Sequence, residues 1–153
     1  MYIISKLLII IIILFPNLSL AEINKFISYK DAWIKLPIGK QKVTSGYIKI
    51  KNLSNKNLKL ISINSDFSEK TEIHKMKVVK NVMKMNKVNL GILLPSNKEI
   101  EFKLGGLHIM FLKITKKINL DEIKNVYFKF EKHGILKIPM KVKNGNHLKK
   151  HKH

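Results

Sequence analysis

Apolar residues along most of this chain recur at every second position, the period of a strand buried on one face. Gly46-Tyr47-Ile48-Lys49-Ile50-Lys51 and Glu99-Ile100-Glu101-Phe102-Lys103-Leu104 show the alternation most plainly. Phe26 to Ile34 mixes aromatic and polar residues and predicts an earlier strand, closed by Pro37 and Gly39. Leu58 to Ile63 predicts another, set off by a polar turn at Asn52 to Asn57 and ended by Asn64-Ser65-Asp66. Val126 to Glu131 and Ile135 to Val142 predict a last hairpin around Lys132-His133-Gly134. After Ala21 no segment carries sustained helical periodicity, and only Asn119 to Ile123 is open to a short helical turn. Eight or nine short strands within 153 residues predict a single all-β domain, a β-sandwich with one core.

Two further strands carry unusual side chains. Four of the six methionines (Met76, Met83, Met85, Met110) and two histidines (His74, His108) fall between Glu72 and Met110. Alternation places Glu72, His74 and Met76 on one side of one strand, and Met83 with Met85 on one side of the next. A two-residue loop at Val79-Lys80 would set His74 opposite Met85 and Met76 opposite Met83, with opposed Cβ atoms about 5 Å apart. After the flexible Gly105-Gly106, His108 and Met110 share a face, while Leu107, Ile109 and Phe111 form the other and predict core.

The ends differ from the middle. One Lys, the apolar run Leu7 to Phe15, a Pro16-Asn17 break and Ser19-Leu20-Ala21 make residues 1–21 a secretory signal peptide, cut after Ala21. An uncleaved anchor is the less favoured alternative, because a membrane span takes about 20 residues. The expected mature domain is 22–143. Residues 144–153 have almost nothing to bury and are expected to be a disordered tail rich in His and Lys.

Composition removes several functions. The chain has no cysteine, which rules out disulfides, blue copper, iron–sulfur clusters and all-cysteine zinc sites. The formal charge is +20, yet every basic residue is Lys. Arg supplies the fork that reads guanine and grips phosphate, so a nucleic-acid partner is not expected. The charge reads mostly as solvated surface, with weak attraction to an anionic membrane.

Thioether sulfur is soft and does not titrate, and neutral imidazole is borderline. A His/Met set therefore suits Cu(I) over Mg(II), Ca(II) or Mn(II). Outside the cytosol such a set also escapes the oxidation that would disable a thiol carrier. His74, Met85, His108 and Met110 are the expected ligands. Met76 and Met83, two residues away on the same face, read as a hydrophobic lip or as auxiliary ligands, with the lip favoured. His147, His151 and His153 read equally as a solvated end or as a second site for Cu(II). His133 reads as a solvated turn residue and Met140 as core.

The spacing His74, ten residues, Met85, twenty-two residues, His108, one residue, Met110 resembles the motif of the PCu(A)C family of periplasmic copper chaperones. That family has twenty-one residues at the second interval, and the extra residue is expected in Asn89 to Leu94. Asp31-Ala32-Trp33, Gly46-Tyr47 with Asn52, Glu72 to Met76, Val82 to Met85 and Gly105 to Met110 are similar to family landmarks in the same order. The resemblance implies a cupredoxin-like Greek-key sandwich that binds Cu(I) by two His and two Met. It also implies donation to the CuA site of cytochrome c oxidase, in subunit II, or to a Sco-type assembly factor.

The expectation is thus a periplasmic copper chaperone and not an enzyme. Ten acids, no cysteine and no Ser/His/Asp signature argue against catalysis, and Glu22 stands where a histidine-brace oxygenase needs His. A copper buffer for resistance is the first alternative. A cationic cell-envelope interaction protein with incidental His and Met is the second.

Overall fold

A computed structural model describes residues 23–80 and 82–145. The leader and the tail histidines lie outside the described residues. A 3₁₀ turn at Ile23–Lys25 precedes ten strands: β1 (Ile27–Lys35), β2 (Val43–Asn52), β3 (Leu58–Ser65), β4 (Ser68–Val79), β5 (Val82–Lys87), β6 (Ile92–Leu94), β7 (Glu99–Phe102), β8 (Leu107–Ile114), β9 (Ile123–Phe130) and β10 (Gly134–Lys143). The expected strands are all present. β6 is additional, and Asn119 to Ile123 forms a turn instead of helix, with Asp121 at φ 63° and Glu122 accepting from the Asn119 amide at 3.0 Å.

Hydrogen bonding links the strands in the order β5-β4-β8-β2-β1-β10-β9-β3-β6, with β7 also on β2. This continuous ladder folds over on itself, so β3, near one edge, packs against β4, near the other. The result is a sandwich. β2 makes the fold possible because it is long: its first half pairs with β8 and its second half with β7, while β1 runs along its other side. Alternation then drives Ile48 and Ile50 of β2, Ile109 and Phe111 of β8, and Leu136, Ile138, Met140 and Val142 of β10 into one core. Pro139 is tolerated inside β10 because β1 pairs with that strand only from Lys141 onward, so no ladder partner awaits a Pro139 amide.

β4 and β8 pair in one register from Ser68↔Ile114 to Lys75↔Leu107, continuously from Lys70↔Leu112 onward. Ile73, Ile109 and Phe111 are buried inward, as expected of the core face of β8. The opposite face of these two strands, with β5 beyond them, carries the His and Met residues.

Candidate metal centre

His74 on β4 stands directly opposite His108 on β8, and their ring centroids are 6.0 Å apart. Two imidazoles bound to one ion through bonds of about 2 Å would stand close to that spacing. Each ring is held by an acceptor on one nitrogen. His108 Nδ1 lies 3.0 Å from the Gly106 carbonyl, and a carbonyl only accepts, so the proton is on Nδ1 and the Nε2 lone pair is free. His74 is arranged the other way round: Nε2 donates to Glu72 Oε2 at 2.7 Å, leaving Nδ1 as the lone-pair nitrogen. That Nδ1 is buried and has no hydrogen-bond partner. Among the described residues no other buried side-chain nitrogen or oxygen is left so. Metal-binding histidines characteristically have one nitrogen tied by a carboxylate or carbonyl and the other aimed at the ion.

Glu72 is the residue whose role sequence reasoning missed. Its shared face with His74 was legible, but a carboxylate is not a soft ligand and alternation does not say what it touches. The side chain is 8% exposed and is held by His74, by Lys87 at 2.9 Å and by Lys70 at 3.0 Å. These contacts, with the His74 hydrogen bond the largest and those of Lys87 and Lys70 next, hold its carboxyl at about 2, well below the usual 4.5.

The register of the β4–β5 hairpin differs from expectation. His74 opposes Lys87, Met76 opposes Met85, and Val78 opposes Met83. The turn falls between the paired Val79 and Val82 and not at Val79-Lys80, with Lys80 taking the positive φ of 50°. β-branched Val79 is poorly suited to the left-handed region, so it stays in the strand and the loop begins one residue later. This slip moves each partner by two positions and so preserves the faces. Met85 remains on the side of His74 but is its diagonal neighbour, not its opposite.

Met110 opposes Glu72 on one flank of the histidine pair, and Met85 opposes Met76 on the other. Four residue steps along β4 separate those levels, about 13 Å of strand. Met110 is half-buried next to Ser45, beside a cleft of about 130 Å³ also lined by Pro37, Ile38 and Val43. Met85 is 49% exposed and Met83 is 58% exposed. One face therefore gathers His74, Met76, Met83, Met85, His108 and Met110. The β4–β5 and β4–β8 ladders that position them each keep a single register.

Among the described residues no three His, Cys, Asp or Glu are grouped to hold a metal, so a complete site needs the thioethers. Their softness, together with two neutral imidazole lone pairs, fits Cu(I) and not a hard cation. His133 is half-buried in an edge-to-face contact with Phe26, ring centroids 6.0 Å apart, and Met140 is fully buried; both lie away from this face. A larger hollow of about 340 Å³, over Trp33 and Tyr47, contains none of the six residues.

The profile of the LpqE-like family, described as one of lipoproteins, matches residues 27–142. The chain belongs to the LpqE-like family. RP573, an uncharacterized protein of Rickettsia prowazekii (strain Madrid E), is 31% identical over 108 residues, which are 71% of this chain and 60% of RP573; the chain thus spans less than two thirds of that relative. Among solved structures, the copper-bound PCuAC domain from PmoF2 superposes with a TM-score of 0.65 at 19% identity, covering 77% of this chain and 92% of that domain. Apo-DR1885 from Deinococcus radiodurans gives 0.61 at 16% identity, covering 78% and 79%. The Cu(I) form of DR1885 gives 0.58 at 19% identity, covering 74% and 76%. These likenesses establish the architecture of a PCuAC domain, a cupredoxin-like β-sandwich.

Proposed function

We propose that this LpqE-like protein carries Cu(I) outside the cytoplasm and passes it to another protein. The ligands are His74 through Nδ1, His108 through Nε2, Met110, and Met85 reaching in from the hairpin. The observation that carries this reading is the facing pair of imidazoles, each tied on one nitrogen, with the His74 Nδ1 buried and unpartnered. Two of its fold neighbours are themselves described as copper-bound and Cu(I)-bound, which supports the choice of ion. The leader motif and the lipoprotein description of the family support the location, in the periplasm.

The chemistry is that of transport, not turnover. Among the described residues nothing on this face pairs a general acid with a base over a substrate hollow, and the acidic group beside it, Glu72, is occupied in orienting His74. Thioethers bind soft ions without needing to lose a proton, and at half-exposed positions they can be displaced by an incoming thiolate. Such a carrier would supply the CuA site in subunit II of cytochrome c oxidase, or a Sco-type assembly factor, as the resemblance in spacing suggests.

Competition titration with a chromophoric Cu(I) chelator under reducing conditions tests the site. One tightly held ion is expected, with at least a hundredfold weakening in the His108→Ala, Met110→Ala double variant. Unchanged affinity in that variant would overturn the assignment. Deleting the gene tests the destination: loss of oxidase activity at ordinary copper supports delivery, and sensitivity confined to high copper would replace delivery with buffering.

A further inference from the structure

Beyond Lys75, β4 parts from β8 after a last bond from the Met76 amide to the Gly106 carbonyl, while its pairing with β5 continues to Val79↔Val82. Among the described residues the outer hairpin is therefore an arm of two strands with no third strand paired to it. Alternation gives it two unlike faces. Lys75, Lys77 and Lys84 stand on one, and Met76, Val78, Met83 and Met85 on the other.

We propose that Met76, Met83 and Met85 form a second, all-thioether site for a soft monovalent cation, at which the ion docks before it reaches the histidines. The inference takes the identity of the cargo from the function proposed above. Met76 and Met85 are directly opposed, and Met83 is diagonal to Met76, so the Cβ atoms lie within about 5 to 8 Å of one another. The three rotatable bonds of each methionine let the sulfurs converge. Packing does not explain Met83 and Met85, which are exposed, whereas Met76 is half-buried and Met140, which packs in the core, is fully buried. The sequence has no Asp or Glu between Glu72 and Glu99, so no carboxylate from the arm competes, and the neutral sulfurs favour a soft ion of low charge.

Met85 belongs to both sets. On transfer the sulfurs of Met76 and Met83 leave as His74 Nδ1, His108 Nε2 and Met110 bind, while Met85 stays on the ion. The cation keeps its charge and no electron moves.

Silver(I) is a redox-inert probe of the same softness. The full-length protein, labelled with ¹³C at the methionine methyls, is titrated with Ag(I) in three forms: wild type, His74→Ala with His108→Ala, and Met76→Leu with Met83→Leu. In the histidine variant one equivalent is expected to shift the methyls of Met76, Met83 and Met85 together and leave Met140 unmoved. The leucine variant, close to isosteric and so able to keep the arm, is expected to retain the one histidine-dependent ion, with the Met85 and Met110 methyls shifting together. Unmoved Met76 and Met83 methyls in the histidine variant would overturn the proposal while leaving the histidine site standing. Shifts of the three arm methyls in wild type without any shift of Met110 would support it and count against the histidine site.

Discussion

The Nε2–H of His74 donates to Glu72 Oε2 over 2.7 Å, and the other oxygen of that carboxylate is gripped by Lys87 and Lys70. One buried acid thus connects the candidate ligand on β4 to a lysine on β5 and another on β4. The contact fixes the ring's orientation and puts electron density onto Nδ1. Glu72→Gln keeps the shape and removes the charge, and should weaken Cu(I) binding about 10- to 100-fold with the fold intact. Chelator competition on the variant checks this; affinity equal to wild type would leave Glu72 no part in the site.

The same carboxyl makes stability depend on acidity. Its folded pKa, about 2, lies below the ordinary 4.5, so the stabilisation is complete above pH 4.5 and drains away as pH falls toward 2. With Lys70 and Lys87 half exposed, the contribution is on the order of 1–3 kcal/mol. Urea unfolding of wild type and Glu72→Gln should show a gap that is widest near neutrality and closes across that window. A gap independent of pH would show that Glu72 acts through packing alone.

Gly46 sits in β2 between Ile34 of β1 and Ile109 of β8, and an added methyl would meet Phe111 Cε2 at 2.9 Å and Met140 Cε at 3.4 Å. Phe111 is fully buried against Phe67 at 4.8 Å between centroids, so it has little room to yield. Gly46→Ala should cost about 1–3 kcal/mol by overpacking. Chemical denaturation measures it, and Met110, the residue before Phe111, should report the strain as a change in its methyl resonance.

Asn52, wholly buried at the end of β2, donates from Nδ2 toward the carbonyls of Lys56, Leu94 and Pro95 at 2.8, 3.0 and 3.2 Å. Its Oδ1 accepts from the Ser54 amide at 2.9 Å and the Ser54 hydroxyl at 2.8 Å. Asn52→Ala strands these groups and should cost about 3 kcal/mol. Its copper affinity should stay at the wild-type value, because the knot ties the turns after β2 and β6, on the far half of β2 from Met110. A lowered urea midpoint with unaltered titration is the expected pair of results.

Much of this architecture could be read from residue order alone. Strands announce themselves by period two, and a one-residue error of period would throw the whole apolar set to the wrong face, so Ile109 and Phe111 could be assigned to the core and His108 and Met110 to the other side. Face was legible because it depends only on parity. Opposition was not, because it depends on where a turn closes: Val79 stayed in its strand, and Met85 came to face Met76 in place of His74. The 3-residue β6 escaped notice because so short a run carries almost no period.

The local order of the chain determined which side chains share a surface and that their chemistry is soft, since alternation and ligand character are properties of each residue. Only the folded sheet decided that His74 and His108 meet, that Glu72 and the Gly106 carbonyl select which nitrogen of each ring is free, and that the β4–β5 arm stands clear of β8. Those outcomes come from pairing between strands distant in sequence, where register and burial are set by the whole core and not by neighbours along the chain.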